Sequence, residues 1–210
     1  MNSRTTPPGP PAAVAGRSEA PLLNIANALT VVRLVLVPVF IWLMLRSGDA
    51  VRLAAAFVFA LAAATDRLDG QLARSRNLVT SFGKIADPIA DKALTLSAFV
   101  LLSVAGRLWW WVTVLIIVRE LGITLMRFVM LRRAVMAASR GGKLKTALQV
   151  TGIFGLLVPW AAFVPPVLAT ALDLTAYVLV GLALVVTLVT GADYVLKALR
   201  LSRADPGGRP

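Results

Sequence analysis

Six long apolar runs, a one-sided distribution of basic residues and four aspartates set among the runs predict an all-α, polytopic membrane protein. The expected architecture is six transmembrane helices preceded by a short interfacial helix. The runs cover residues 29–46, 51–66, 85–105, 108–131, 146–165 and 172–196, close to the roughly 20 residues that span a hydrocarbon core of about 30 Å as helix. Apolar positions surround each run instead of forming one stripe, which favours lipid-embedded helices over amphipathic surface helices. Barrel strands would be shorter and would alternate. With 58% hydrophobic residues and a mean hydropathy of +0.80, the 210-residue chain is too apolar for a soluble domain.

Residues 1–20 are rich in Pro, Ala and Gly, with Arg4, Arg17 and Glu19 scattered among them. No apolar stretch of roughly 7–15 residues lies there, so this reads as a disordered tail and not a signal peptide. Residues 21–30 set Leu22, Leu23, Ile25, Ala26 and Leu29 against Asn24, Asn27 and Thr30, a pattern suited to an interfacial helix feeding the first span. Residues 21–200 form a single helical membrane domain without an internal repeat, and 201–210 form a second disordered, basic tail.

The net charge of +12 could suggest nucleic acid, but its placement argues for topology. With residues 1–28 in the cytoplasm, the external loops hold only Arg46, Arg52 and Arg107. Apart from Arg33 and Arg119 inside the apolar runs, every other Lys and Arg falls in the N-terminal segment, in Arg67 to Lys92, in Arg127 to Lys145, or in Lys197 to Arg209. Short basic loops stay inside, which places both termini in the cytoplasm and excludes a nucleic-acid partner as the reason for the charge. The same cations attract anionic lipid. Cysteine and histidine are both absent and acidic residues number ten, so acid–base or metal chemistry falls to Asp, Glu, Lys, Tyr or Ser/Thr.

Asp66 is expected to close helix 2, with Asp69 one turn later. Gly83 is expected to open helix 3, with Asp87 and Asp91 four residues apart on one face. Carboxylates beside membrane helices are costly and usually functional. Singly, each has an ordinary explanation: Asp66 or Asp69 as a solvated loop acid or cap, Asp87 paired with Lys84 or Arg74, Asp91 with Lys92. Jointly, with Gly70 permitting close backbone approach and Arg74 able to neutralise a phosphate, they can aim hard oxygen ligands into one cavity. Such ligands select Mg²⁺, Mn²⁺ or Ca²⁺, and two such cations can clamp a diphosphate.

The run from Asp66 to Asp91, D-x-x-D-G-x-x-A-R-x8-G-x-x-x-D-x-x-x-D, resembles the signature of the CDP-alcohol phosphatidyltransferases. That resemblance implies a divalent-metal enzyme that moves a substituted phosphate from a CDP-linked donor to an alcohol and releases CMP. It implies two Mg²⁺ or Mn²⁺ ions held by Asp66, Asp69, Asp87 and Asp91, with Asp91 also the general base. It implies a CDP-diacylglycerol pocket formed by Asp69, Gly70, Ala73, Arg74 and Thr80, joined by Asn27, Thr30 and Arg33 of the leading segment. A homodimer in the inner membrane is also implied.

For the acceptor, Arg119, Glu120 and Arg127 interrupt the fourth apolar run, and Lys143 and Lys145 open the fifth. An Arg–Glu pair can be purely structural, and the lysines can be ordinary cytoplasmic charge. Together, though, Arg119, Arg127, Lys143 and Lys145 exceed what one Glu neutralises, and the surplus suits a doubly charged phosphate on a small acceptor. These features, with Asn24 to Arg33, resemble the branch of the family that makes phosphatidylglycerophosphate; Ala26 departs from it, where proline is common. The implied acceptor is glycerol 3-phosphate. Phosphatidylglycerol and inositol phosphate are rival acceptors. A divalent-cation transporter is the rival of another class, disfavoured because transport sites lie near the midplane, often in repeated halves.

Overall fold

The computed structural model describes residues 24–75, 80–130 and 140–204, which hold six α-helices and no strand. In chain order these are α1 (Ile25–Met44), α2 (Asp49–Ser75), α3 (Ser81–Val104), α4 (Trp110–Met130), α5 (Arg140–Leu157) and α6 (Pro166–Ala204), with a 3₁₀ turn at Trp160–Ala162. Connections between described helices are short, so sequential helices run in alternating directions. Gly48 (φ +114°) and Gly106 (φ +68°) supply left-handed backbone in the turns after α1 and α3, a region that side chains with a Cβ avoid.

Helix α1 packs on α2 and α3, α5 runs along α6, and α2 and α3 reach α5 across the middle while α4 leans on α6. Phe40, Phe59, Phe99, Leu102, Ile116, Ile153, Leu156 and Leu157 fill the shared core. Phe40 and Phe59 meet with ring centroids 5.7 Å apart. The outward faces remain apolar: Val35, Phe57, Val118, Leu125, Val185 and Val189 are all exposed. That inversion of the soluble rule is what lipid contact requires. Two helices are long and apolar enough to cross a membrane on their own, over Asn27–Met44 and Pro166–Ala192. In α2, α3 and α4, charges at Arg52, Asp66, Asp87, Asp91, Lys92, Arg119 and Glu120 interrupt the apolar run, and the apolar part of α5, Leu144–Leu157, is shorter.

The two ends of the bundle differ chemically. All five tryptophans (Trp42, Trp109, Trp110, Trp111 and Trp160) gather at one end, as amphipathic rings do at a membrane–water boundary. There Arg46 lies 4.5 Å over the Trp42 ring. Arg107 Nη2 donates to Asp173 Oδ1 at 2.6 Å and Tyr177 Oη donates to the Arg107 carbonyl at 2.8 Å, which ties the α3–α4 turn to α6. Asp66, Asp87, Asp91, Lys92 and Lys145 lie toward the opposite end.

Several boundaries differ from expectation, each for a local reason. No separate interfacial helix precedes α1 among the described residues. Residues 25–30 are the first turns of α1, because Asn24 caps it, accepting from the Asn27 N–H at 2.9 Å, and no breaker follows until Pro38. Helix α2 does not close at Asp66 but continues to Ser75, so Asp66 lies inside a helix. Helix α3 starts at Ser81, capped by Thr80, so Pro88 sits within the helix and removes one intrahelical hydrogen bond. Helix α5 begins at Arg140 and stops at Leu157, since Pro159 cannot continue it. Helix α6 is 39 residues long, about 58 Å, and its last turn takes in residues 201–204 of the expected tail. Residues 1–23 and 205–210 lie outside the described residues.

Small residues set the α5–α6 contact. A Cβ on Gly155 would lie 2.6 Å from Ala176 Cβ, and one on Gly152 would lie 2.8 Å from Val180 Cγ2 and 3.0 Å from its backbone nitrogen. Small residues let the two backbones approach closely, so dispersion between them holds the contact. Gly155→Val and Gly152→Val are therefore expected to lower the thermal midpoint in detergent, a loss of about 1–3 kcal/mol each. Gly122→Ala, where an added Cβ meets nothing within 4 Å, is the matched control. Equal midpoints for all three variants would refute this packing.

Candidate active site

The site begins with one face of α1. Asn27, Thr30 and Arg33 recur every third residue, and all three are buried in an otherwise apolar helix. Each reaches a different part of the aspartate-bearing segment. Asn27 Oδ1 accepts from Thr80 Oγ1 at 2.7 Å, Thr30 Oγ1 donates to Asp87 Oδ1 at 2.5 Å, and Arg33 Nη1 sits 2.8 Å from Asp66 Oδ1. Thr80 also accepts from the Gly83 N–H at 3.0 Å, capping α3. A Cβ on Gly83 would lie 3.2 Å from Asn27 Oδ1 and 3.3 Å from Thr80 Oγ1. Gly83 thus lets α1 and α3 close at this point. Arg33 is 0% exposed, and a buried guanidinium requires a carboxylate partner.

Asp66 and Asp91 line one cavity with Arg33, Phe59, Leu94, Thr95 and Thr146. A second cavity adjoins it, sharing Asp91, Thr95, Thr146 and Val150 and adding Lys92, Glu120, Lys145 and Gln149. Asp91 is the one acidic residue that lines both spaces. Asp87 points instead to Thr30. Among the described residues no three acidic side chains converge to hold a metal ion. The donor set facing the first cavity, two carboxylates, is of the hard-oxygen type that suits Mg²⁺ or Mn²⁺. The side chains of Asp69, Ala73, Arg74, Arg127 and Lys143, and the surroundings of Gly70, lie outside the described residues.

Glu120 is the hub of the second cavity. It is 4% exposed, yet it receives three cations. Lys92 of α3 donates to Oε2, and Lys145 of α5 donates to Oε1. Its neighbour Arg119 donates through Nη1 to Oε1 at 2.9 Å. Of these three cations, Lys92 and Lys145 line the cavity, facing the carboxylates of Glu120 and Asp91.

Arg119 itself is turned toward α6. Its Nε donates to the Thr187 carbonyl at 2.8 Å and its Nη2 to Thr190 Oγ1 at 2.7 Å. A Cβ on Gly191 would meet Nε at 3.2 Å. The structure thus brings Lys145 into the cavity but not Arg119, whose guanidinium holds Glu120 against α6. Two lining residues escaped the sequence reading. Lys92 looked like a simple partner for Asp91. Gln149 was one polar residue in an apolar run, although its place four residues after Lys145 put both on one helix face. Gln149 is 4% exposed, and its Nε2 has no hydrogen-bond partner among the described residues, a state that costs about 1–3 kcal/mol if nothing fills it.

Comparison with known proteins bears on this geometry. Residues 23–193 match the family model described as CDP-alcohol phosphatidyltransferase. A Mycobacterium tuberculosis protein named probable phosphatidylglycerophosphate synthase is 48% identical over 198 residues, 93% of this chain and 88% of its own. Proteins of Bacillus subtilis and Rickettsia typhi, both named CDP-diacylglycerol–glycerol-3-phosphate 3-phosphatidyltransferase, are each 34% identical. Their matches cover 84% and 81% of this chain and 95% and 94% of theirs.

Removing the Arg119 guanidinium takes its hydrogen bonds away from the Thr187 carbonyl and the Thr190 hydroxyl of α6, a loss of about 1–3 kcal/mol. Arg119→Leu is expected to lower the thermal midpoint in detergent accordingly, and Arg119→Lys to recover only part of it, because lysine cannot reach Thr187, Thr190 and Glu120 together. A midpoint unchanged in Arg119→Leu would show that Glu120 is held without the α6 contact.

Proposed function

This chain belongs to the CDP-alcohol phosphatidyltransferase family, and on that premise we propose that it transfers the phosphatidyl group of CDP-diacylglycerol to glycerol 3-phosphate, giving phosphatidylglycerophosphate and CMP. The observation that carries the choice of acceptor is the cation-rich cavity around Glu120. Two lysine ammonium groups beside Asp91, each keeping hydrogens beyond the one given to Glu120, suit a phosphate on the molecule whose hydroxyl must lose a proton. The names of the Mycobacterium, Bacillus and Rickettsia relatives support the same reaction.

In this reading Asp66, Asp69, Asp87 and Asp91 would hold Mg²⁺ or Mn²⁺, which when bound polarise the diphosphate and stabilise the departing CMP oxygen. Asp91 takes the proton of the acceptor's primary hydroxyl as its oxygen attacks the β-phosphorus and the bond to CMP breaks. Lys92 and Lys145 each use one ammonium hydrogen on Glu120, which leaves donors for the acceptor's phosphate. Arg33 holds Asp66, and Thr30 holds Asp87, so α1 orients the acidic groups before substrate arrives. Gly70, Ala73, Arg74, Thr80 and Asn27 would line the cytidine diphosphate side. Arg127 and Lys143 would add positive charge at the acceptor's approach.

We place all six helices across the inner membrane, with the tryptophan-rich end outside and both termini and the site in the cytoplasm. Acyl chains then enter from the bilayer and the polar substrates from water. The working unit is a homodimer.

The test is CMP release by purified protein given CDP-diacylglycerol, Mg²⁺ or Mn²⁺, and one acceptor at a time. Release with glycerol 3-phosphate alone is expected; release with inositol phosphate or phosphatidylglycerol instead would overturn the acceptor. Asp91→Asn is expected to abolish turnover while CDP-diacylglycerol still binds, and loss of that binding would make Asp91 a ligand first. Lys145→Ala is expected to raise the acceptor KM by about 10- to 100-fold, the equivalent of one lost charge-assisted hydrogen bond. An unchanged KM would remove Lys145 from the phosphate site.

A further inference from the structure

We propose that Gln149 is the residue that recognises the acceptor's second, non-attacking hydroxyl, and so selects a polyol phosphate over a simple hydroxyalkyl phosphate. The inference rests on the transfer reaction proposed above and goes beyond it to specificity. Three observations carry it. Gln149 lines the cavity that holds Asp91, Lys92, Glu120 and Lys145. It is 96% buried by its 4% exposure, and its Nε2 is without a partner. It lies four residues from Lys145 on α5, one helical turn and about 6 Å along the axis, the reach of a short polyol phosphate.

The chemistry divides the acceptor among three kinds of group. Its phosphate carries two negative charges and goes to the ammonium groups of Lys92 and Lys145. Its attacking hydroxyl must present a proton to Asp91. A remaining hydroxyl is neutral and both donates and accepts, and a carboxamide matches it, with Nε2–H donating to the oxygen and Oε1 accepting the proton. A site built to hydrogen-bond a substrate hydroxyl discriminates strongly against an analogue lacking it, because the buried amide is then left unpaired. Gln149 is uncharged, so it adds no charge attraction for the phosphate.

The experiment compares glycerol 3-phosphate with 3-hydroxypropyl phosphate, which keeps the phosphate and the primary hydroxyl but lacks the secondary one. Both are assayed by CMP release from CDP-diacylglycerol with the full chain. The wild type is expected to favour glycerol 3-phosphate in kcat/KM by at least about 10-fold; equal values would overturn the proposal without any variant. Gln149→Met, close in shape but without the amide, is expected to lose about 10-fold or more with glycerol 3-phosphate and to keep its rate with 3-hydroxypropyl phosphate. Equal losses with both acceptors would assign Gln149 a packing role and overturn the proposal. Should the Met variant fail to fold, Gln149→Asn, which keeps the amide one methylene short, is expected to narrow the preference, and an unaltered preference overturns it. Failure of the underlying reaction is separately visible as no CMP release from the wild type with glycerol 3-phosphate.

Discussion

The buried carboxylate of Glu120 is the constraint on which the half of the bundle that holds the candidate site depends. A lone carboxylate at 4% exposure would be expensive in the low-dielectric interior, so three cations converge on it from three helices' worth of sequence. Lys92 comes from α3, Arg119 from α4 itself and Lys145 from α5. Arg119 then extends the network to α6 through Thr187 and Thr190. Four helices are thus fixed relative to one another by one acid. The two lysines of this network also line the cavity beside Asp91, so the groups that hold the packing are the ones exposed to it.

Helix α1 performs the complementary task for the acidic side. Its polar residues at 27, 30 and 33 form a narrow stripe on a helix that is otherwise apolar, and each meets its own partner on α2, on α3 or just before it. Pairing Asp66 with Arg33 and Asp87 with Thr30 keeps two carboxylates oriented in a space where free rotation would misplace them. The carboxylate of Asp66 beside it offsets part of the cost of burying Arg33. The acidic residues and the first helix are therefore one unit, although α1 precedes Asp66 by more than a helix in sequence.

Away from the site, forces of a different kind hold the bundle. Glycine against alanine and valine brings α5 and α6 into close contact, and the aromatic and ion-pair cluster around Arg107, Asp173 and Tyr177 closes the other end. Here Arg107 is matched by Asp173 and the rest is close apolar packing, which separates scaffold from chemistry along the bundle axis.

The sequence by itself determined the helical class, the approximate helices and the acid-rich segment. Long apolar runs and short polar connections admit few other arrangements, and the spacing from Asp66 to Asp91 is specific enough to name a family. It also singled out Asn27, Thr30, Arg33, Thr80 and Lys145. What only the tertiary structure decided is which cations face the cavity and which serve the scaffold. Arg119 and Lys145 look alike in sequence, but α6 supplies oxygen acceptors within reach of one and not of the other. Helix ends shifted for similar reasons: Asn24 and Thr80 became caps, and α2 ran past Asp66, because local capping and packing decide where a helix stops while hydropathy reports only where it is apolar. Gln149 stayed illegible for the same cause. A single amide in an apolar run acquires meaning only when neighbouring helices bury it without giving it a partner.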